Sequence, residues 1–347
     1  MELNIMEMEN SILECLKDIP FMKVNILRDF DSSPFYRPGL VLKIANPSTS
    51  GRLIVCELKN NGQPRLARSA VDQLLRYVQN IPQAYPVFVA PYISPRSAKI
   101  CREQGVGYID LAGNCRLTFD NIYILKEGKE NPYNVKRNLR SLFSPKAERI
   151  LRVLLSSPNT EWKTKELAET AQVSLGQVSN VKKLLADREW IDPSDFRLKE
   201  PGQLLEEWSI AYRSDRNKRI DYYSFEKVNE LESSIAEKCE DMGITYAMTS
   251  FSAAARRIPM VRYQRAAVYI SNDAERLVEI LGLKKVTSGA NLSIWTPYDN
   301  GVFLGTEEVE GTRLVSAVQS YLDLKGDRGR GEEAAAALLE GVIKKLW

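Results

Sequence analysis

Between Pro145 and Ile191 the apolar residues recur at helical spacing in three short bursts, separated by stretches too short to hold anything but tight turns. Ile150, Val153 and Leu154 make the first stripe, Leu167, Ala168 and Ala171 the second, and Val178, Val181 and Leu185 the third. Stripes this narrow are buried only if the helices share one small core. The connection Gln172-Val173-Ser174 is short enough to set the second and third helices at a large angle. Ser174 and Gln177 stand in capping-box relation, which marks the start of the third helix. Gln177, Asn180 and Lys183 then share its outer face, where Gln and Asn can pair with adenine and Lys with guanine in a major groove. Trp190 and Ile191 open a strand that Phe196-Arg197-Leu198 can return as a wing. The segment therefore predicts a winged helix-turn-helix over 145–215, with double-stranded DNA as its partner. The alternative is a helical linker domain that uses the same geometry only for packing.

Charge alone does not announce that partner. The chain has 347 residues and a formal net charge of +3, so local clusters must carry the case. The length allows two or three domains with their own cores. Histidine is absent. That excludes Ser-His-Asp and Cys-His catalysis and His-ligated zinc, leaving carboxylates, lysines, tyrosines or an oxygen-ligated metal for any chemistry. The five cysteines show no close metal-ligand spacing. With no secretory segment at the start and no bilayer-length apolar run, a cytoplasmic protein without membrane partners is expected.

Residues 1–130 alternate strand and helix signals, the pattern of an α/β sheet covered on at least one face. An amphipathic helix over 1–20 carries Ile12, Leu13 and Leu16, and a polar stretch follows through Pro38. Strands are expected at 40–45 and 53–58, a helix at 65–78, a strand at 87–90, a helix at 95–104, and short strands at 107–110, 116–118 and 122–125. Glu57-Leu58-Lys59 ends a strand, so Glu57 and Lys59 face one side and Leu58 the other. A carboxylate there can hold Mg2+ while the lysine orients water toward a phosphodiester, and Gln73 on the next helix can approach both.

Hairpin, E-x-K strand and following helix with its glutamine resemble the PD-(D/E)XK nuclease fold. The resemblance implies catalytic roles for Glu57, Lys59, Gln73 and Asp110, with Glu57 and Asp110 as metal ligands. The sequence departs from the pattern at its first acid, where Pro38-Gly39 stands in place of a Pro-Asp-like step. Glu14, Asp29, Asp31 or Asp110 would have to replace it. A site with Glu57 as its only carboxylate holds magnesium weakly. Three readings stay open: a nuclease fold kept without activity, an active Mg2+ enzyme with a displaced acid, and an unrelated α/β domain. Under the first and third no cofactor is expected. Asp110 and Asn114 also fit a tight strand-to-strand turn.

Residues 131–144 read as a basic linker, within a run that includes Lys126, Lys129, Lys136, Arg137, Arg140, Lys146 and Arg149. Lys136, Arg137 and Arg140, with Ser174, Lys182, Arg188 and Arg197, are candidate phosphate contacts; Gln177, Asn180 and Lys183 are candidate base readers. Arg213, Arg216, Lys218 and Arg219 form a second basic cluster.

Residues 216–347 predict a further α/β or α+β domain. Helices are expected at 224–242, 249–257, 274–281, 313–323 and 332–345, and extended runs at 244–248, 266–270, 292–295 and 302–304. Thr249 reads as a helix cap. The phrases from Tyr246 to Ala254 and from Val318 to Leu324, then Gly329 to Ala334, together with the upstream helix-turn-helix, resemble the AbiEi family of type IV antitoxins and related regulators. That resemblance covers 145–347 and implies operon repression and a cognate toxin. The three functions to be separated are a sequence-specific DNA-binding regulator, a Mg2+-dependent endonuclease, and an antitoxin or defence component acting through a protein. One short helix reads few base pairs, so a homodimer or a second DNA-contacting domain is implied by an extended site.

Overall fold

The computed structural model describes residues 5–17, 23–27, 38–46, 49–79, 81–132, 142–192, 194, 196–259, 261–327 and 330–347. Lys136, Arg137, Arg140, Asp29 and Asp31 lie outside them. The chain divides into two compact units, Met1–Leu139 with Ala186–Glu189, and Arg140–Leu185 with Trp190–Trp347. Both are built on mixed sheets of seven strands among the described residues.

The first unit runs α1 (Ile5–Lys17), β1 (Lys23–Leu27), β2 (Leu40–Asn46), β3 (Thr49–Leu58), α2 (Pro64–Val78), β4 (Ala84–Ala90), α3 (Pro95–Glu103), β5 (Gly107–Asp110), β6 (Cys115–Phe119) and β7 (Ile122–Lys126). The strands lie side by side in chain order. β3, β4 and β5 are parallel and the outer pairings antiparallel. The parallel centre follows from the helices that connect it, since a parallel return needs a crossover. Pro64 opens α2, and its stripe Ala67, Ala70, Val71 and Leu74 is buried with Val55, Phe88 and Tyr108 on one face of the sheet. Met8, Ile12 and Leu16 of α1 pack with Ile54, Cys56 and Val87 on the other. Strand β1 corrects the expectation of a polar connection before Pro38. Only Val24 and Ile26 of its five residues pack on the core, too short an alternation to stand out.

The second unit begins with α4 (Pro145–Ser156), α5 (Thr164–Thr170) and α6 (Leu175–Asp187), continues through α7 (Pro201–Ala211), and then builds a sheet from β8 (Lys218–Tyr223), β9 (Tyr246–Met248), β10 (Ala266–Ile270), β11 (Lys284–Lys285), β12 (Leu292–Thr296), β13 (Glu307–Val309) and β14 (Thr312–Leu314). The order is β11-β8-β12-β10-β9-β14-β13. Helices α8 (Val228–Asp241), α9 (Ser250–Arg257), α10 (Ala274–Ile280), α11 (Ala317–Lys325) and α12 (Arg330–Gly341) complete it. Leu231, Ile235 and Cys239 of α8 pack on Met248, Val268 and Ile294, while Ala247, Tyr269 and Trp295 face the opposite side.

Two expectations are corrected here. Residues 302–304 are not a strand; Asn300–Phe303 is a 3-10 turn, fixed where the Asp299 side chain accepts the Gly301 amide at 2.8 Å. The helix expected from Arg313 starts only at Ala317, because Ser316 caps it by accepting the Gln319 amide at 3.2 Å. Residues 312–314 pair as an edge strand instead.

Candidate nucleic-acid interface

The turn between α5 and α6 is set by backbone chemistry. Val173 donates its amide to Ala168 O at 2.9 Å and Ala171 to Leu167 O at 2.9 Å, while Gln172 takes φ 54°. This is a Schellman-type stop with a non-glycine residue in the left-handed position. Gln172 is held there by Arg149, whose Nη1 lies 3.5 Å from its carbonyl and 3.4 Å from its Oε1. Ser174 Oγ then accepts the Gln177 amide at 3.2 Å. Helix α6 follows at once, with Val178, Val181 and Leu185 fully buried.

Asn180 and Lys183 are exposed on α6, and Gln177 is half-buried. An open groove of about 750 Å³ runs past the start of the helix, lined by Lys146, Lys165, Gln172, Ser174 and Gln177 among others. After α6 the chain folds back through a single antiparallel bridge, Ile191 to Leu198, with Lys199 donating its amide to Trp190 O at 2.8 Å. Lys182 reaches this return, its Nζ 4.5 Å from the Phe196 ring centroid. Arg197 is exposed and pairs with Glu161 at 2.8 Å. Arg188 is buried.

Arg149, read from sequence as part of a basic run, is buried; its guanidinium grips Asp299 through Nε to Oδ1 at 2.7 Å and Nη2 to Oδ2 at 3.1 Å. One turn on, the fully buried Arg152 donates Nε to Gln319 Oε1 at 2.8 Å. Gln319 Nε2 passes the bond to Tyr212 OH at 2.9 Å and Asp323 Oδ1 at 3.0 Å. Tyr212 and Tyr269 hydroxyls donate to the same oxygen at 2.8 and 3.0 Å. Thr249 Oγ1 donates to Asp323 Oδ2 at 2.5 Å. The Thr249 hydroxyl is thus spent on Asp323, and it makes no cap bond to α9, contrary to the sequence expectation. Tyr298 hydrogen-bonds Glu148, and Arg216 stacks on the Tyr298 ring at 3.8 Å. Burial raises the Glu148 and Asp323 carboxyls above their ordinary range, against the hydrogen bonds and the neighbouring arginines of Glu148 that lower them. This network ties α4 to α11 and, through Tyr269, to the sheet. Periodicity could not reveal it, because Glu148, Arg149 and Arg152 each look like surface positions until their partners are known.

In the first unit the structure brings Glu57, Lys59 and Gln73 together. Lys59 Nζ lies 2.7 Å from Glu57 Oε1 and donates to Gln73 Oε1 at 3.0 Å. Asp110 is elsewhere. Glu57 is in register with Phe88 and Phe88 with Tyr108, so Asp110 stands two strands away and two residues further on. Two strand spacings alone are roughly 10 Å. Both its oxygens are occupied: Oδ1 accepts the Asn114 amide at 2.8 Å, and Oδ2 accepts the Ile93 amide at 3.1 Å and Asn114 Nδ2 at 2.9 Å. Asn114 in turn exchanges bonds with the Lys129 backbone at 2.8 and 3.2 Å. At Gly39 a Cβ would fall 2.6 Å from Leu58 Cγ, so an acid has no room there as the chain stands. Among the described residues no group of three Asp, Glu, Cys or His could hold a metal ion. Among the described residues the donors do not fit the magnesium site that the nuclease resemblance implies.

Residues 197–344 match the family described as transcriptional regulator, AbiEi antitoxin, type IV TA system. No curated protein matches the chain. A repair endonuclease from Pyrococcus abyssi is similar at 18% identity and TM-score 0.23, over 32% of this chain and 47% of that one. An EndoMS complex with double-stranded DNA is similar at 15% identity and TM-score 0.22, over 32% and 46%. The chain thus spans about half the length of these two structures. No helix among the described residues is long and apolar enough to cross a membrane.

Proposed function

We propose that this chain is a sequence-specific, double-stranded DNA-binding regulator of antitoxin type, which reads DNA through a winged helix-turn-helix formed by α4 to α6 and the Ile191–Leu198 return. The observation that carries the reading is α6. It is capped at Ser174, buried along one stripe, and presents Asn180 and Lys183 to solvent beside a groove lined by Lys146 and Lys165. Gln177, Asn180 and Lys183 read bases; Ser174, Lys182, Arg197 and the linker residues Lys136, Arg137 and Arg140 contact phosphates. Arg188 is withdrawn from that set because it is buried. The match of 197–344 to the AbiEi antitoxins supports this role and supports a cognate toxin as protein partner. Two copies on a two-fold site supply the length of sequence that one helix cannot read.

The amino-terminal unit is a nuclease-like fold that serves the chain without cleaving. The Glu57–Lys59–Gln73 cluster keeps a metal-dependent endonuclease as the second reading, and the absence, among the described residues, of a group of three metal-ligating side chains places that reading second.

The test is to pass fragments of the source genome over the purified protein in Mg2+ and to sequence both the retained fragments and their ends. Enrichment of one intact site supports the regulator. Defined new ends at enriched sites would establish the endonuclease. Retention of no sequence above background would end the DNA reading in favour of a protein partner.

A further inference from the structure

Helix α1 and strand β6 each deliver a cysteine to the same place. Cys15 lies in the last turns of α1, and Cys115 is the first residue of β6, immediately after the Gly113-Asn114 turn. Both belong to the core between α1 and the sheet, and the Cys15 side chain is hydrogen-bonded to Cys115. Both also line a pocket of about 410 Å³ whose wall includes Lys126 and the exposed Glu14. This pocket gives a small neutral oxidant a route to both sulfurs.

The other three cysteines have a different environment. Burial pushes the Cys101 and Cys239 thiols up to about 12 and raises Cys56 further, which leaves them protonated and inert. The Cys115 thiol moves the other way: its hydrogen bond with Cys15 lowers it, burial and the Asp110 charge oppose this, and the charge and backbone amide of Lys126 lower it again.

We propose that Cys15 and Cys115 form a peroxide-reactive dithiol that closes into a disulfide joining α1 to β6. The Cys115 thiolate attacks one oxygen of hydrogen peroxide, breaking the O–O bond and releasing hydroxide, which is protonated to water. The sulfur is now a sulfenic acid. The Cys15 sulfur attacks it, the S–O bond breaks, and the departing hydroxide takes the Cys15 proton as a second water. Two thiols and one peroxide thus give one disulfide and two waters. Disulfides of this kind in a reducing compartment are transient and sensing rather than structural. Closure pins the amino-terminal helix to the strand after the Asp110–Asn114 turn, and thiol reductants reverse it.

The test uses the full chain, exposed to hydrogen peroxide under native conditions, then denatured, alkylated and mapped by mass without reduction. The expected result is one crosslinked peptide pair, Cys15 to Cys115, lighter by two hydrogens and lost on adding dithiothreitol. Loss of these two thiols should outpace loss of the other three by about tenfold or more. Cys15→Ser should leave a sulfenic acid on Cys115 that dimedone traps, and Cys115→Ser should protect Cys15. The proposal is overturned if all five thiols react alike, if both cysteines are still alkylated after peroxide has consumed added glutathione, or if Cys115→Ser leaves Cys15 oxidation unchanged. Wild-type protein taken through one cycle of oxidation and reduction controls for folding of the variants.

Discussion

Arg149 holds Asp299 with both prongs of its guanidinium, at 2.7 and 3.1 Å, and the same group reaches the left-handed Gln172 that turns the chain into α6. One side chain thereby links the turn before the proposed reading helix to the loop before a 3-10 turn that packs against α4. Residues in the left-handed region cost about 1 kcal/mol or more when they are not glycine, so Gln172 needs a fixed partner. Removing one member of a buried pair leaves the other charge unsatisfied. Arg149→Ala is expected to lower unfolding free energy by roughly 3 kcal/mol. Arg149→Lys should recover only part, because a lysine cannot make the forked contact. Denaturant titration checks both, and a loss under about 0.5 kcal/mol for Arg149→Ala, the range of ordinary surface changes, would show that the pair is incidental.

The same pair sets a pH dependence. Burial favours the neutral acid at Asp299, but Arg149 and the Gly301 amide hold its carboxyl below the ordinary carboxylate range. A group whose folded value is depressed contributes stability above its unfolded value, about 3.9, and loses it as pH falls through the folded one. Wild type should therefore exceed Asp299→Asn in Tm at pH 6 to 7, and the gap should narrow below about pH 4. A gap that stays constant from pH 7 to pH 3 would contradict the assignment.

At the groove, Lys146 and Lys165 are expected to act on phosphates alone. Each change to alanine should weaken binding to specific and scrambled duplexes equally and reduce the slope of log K against log salt by about 1. The same holds for Lys136, Arg137 and Arg140. Isotherms at several salt concentrations measure it, and an unchanged slope would remove the residue from the interface.

For the amino-terminal unit, Glu57→Gln and Lys59→Ala should leave DNA affinity within about twofold, under 0.5 kcal/mol. The wild type should give no cleavage in Mg2+ under single turnover. Gly39→Asp should create no nuclease and should cost about 1–3 kcal/mol, since its Cβ would meet Leu58 Cγ at 2.6 Å. Metal-dependent cleavage by wild type that Glu57→Gln abolishes would reverse this account.

What could be read from the sequence was what repeats along it. The stripes of α4, α5 and α6, the Ser174 cap and the order of strands about Glu57 follow from period and from punctuation by proline and glycine. The meeting of Lys59 with Gln73 was also legible, because one strand and its following helix fix it. The phrases 246–254 and 318–324, distant in the chain, prove to be one hydrogen-bonded centre through Thr249 and Asp323. Nothing in either phrase announces that pairing. The burial of Arg149 and Arg152 was hidden for the same reason: their partners, Asp299 and Gln319, lie 150 and 167 residues away. Strand β8 and helix α7 were missed outright. β8 reads Lys-Arg-Ile-Asp-Tyr-Tyr with a single aliphatic residue, and α7 leaves Ile210 80% exposed, so neither shows a clean apolar face.

The most direct measurement is discrimination by Asn180→Ala. Using the fragment enriched from the genome, affinity for the specific duplex and for a scrambled one of equal length would be compared between wild type and variant. If α6 reads bases, the variant loses about 1–3 kcal/mol on the specific duplex and almost nothing on the scrambled one. Equal losses on both, or none on either, would mean that the exposed face of α6 does not select the site.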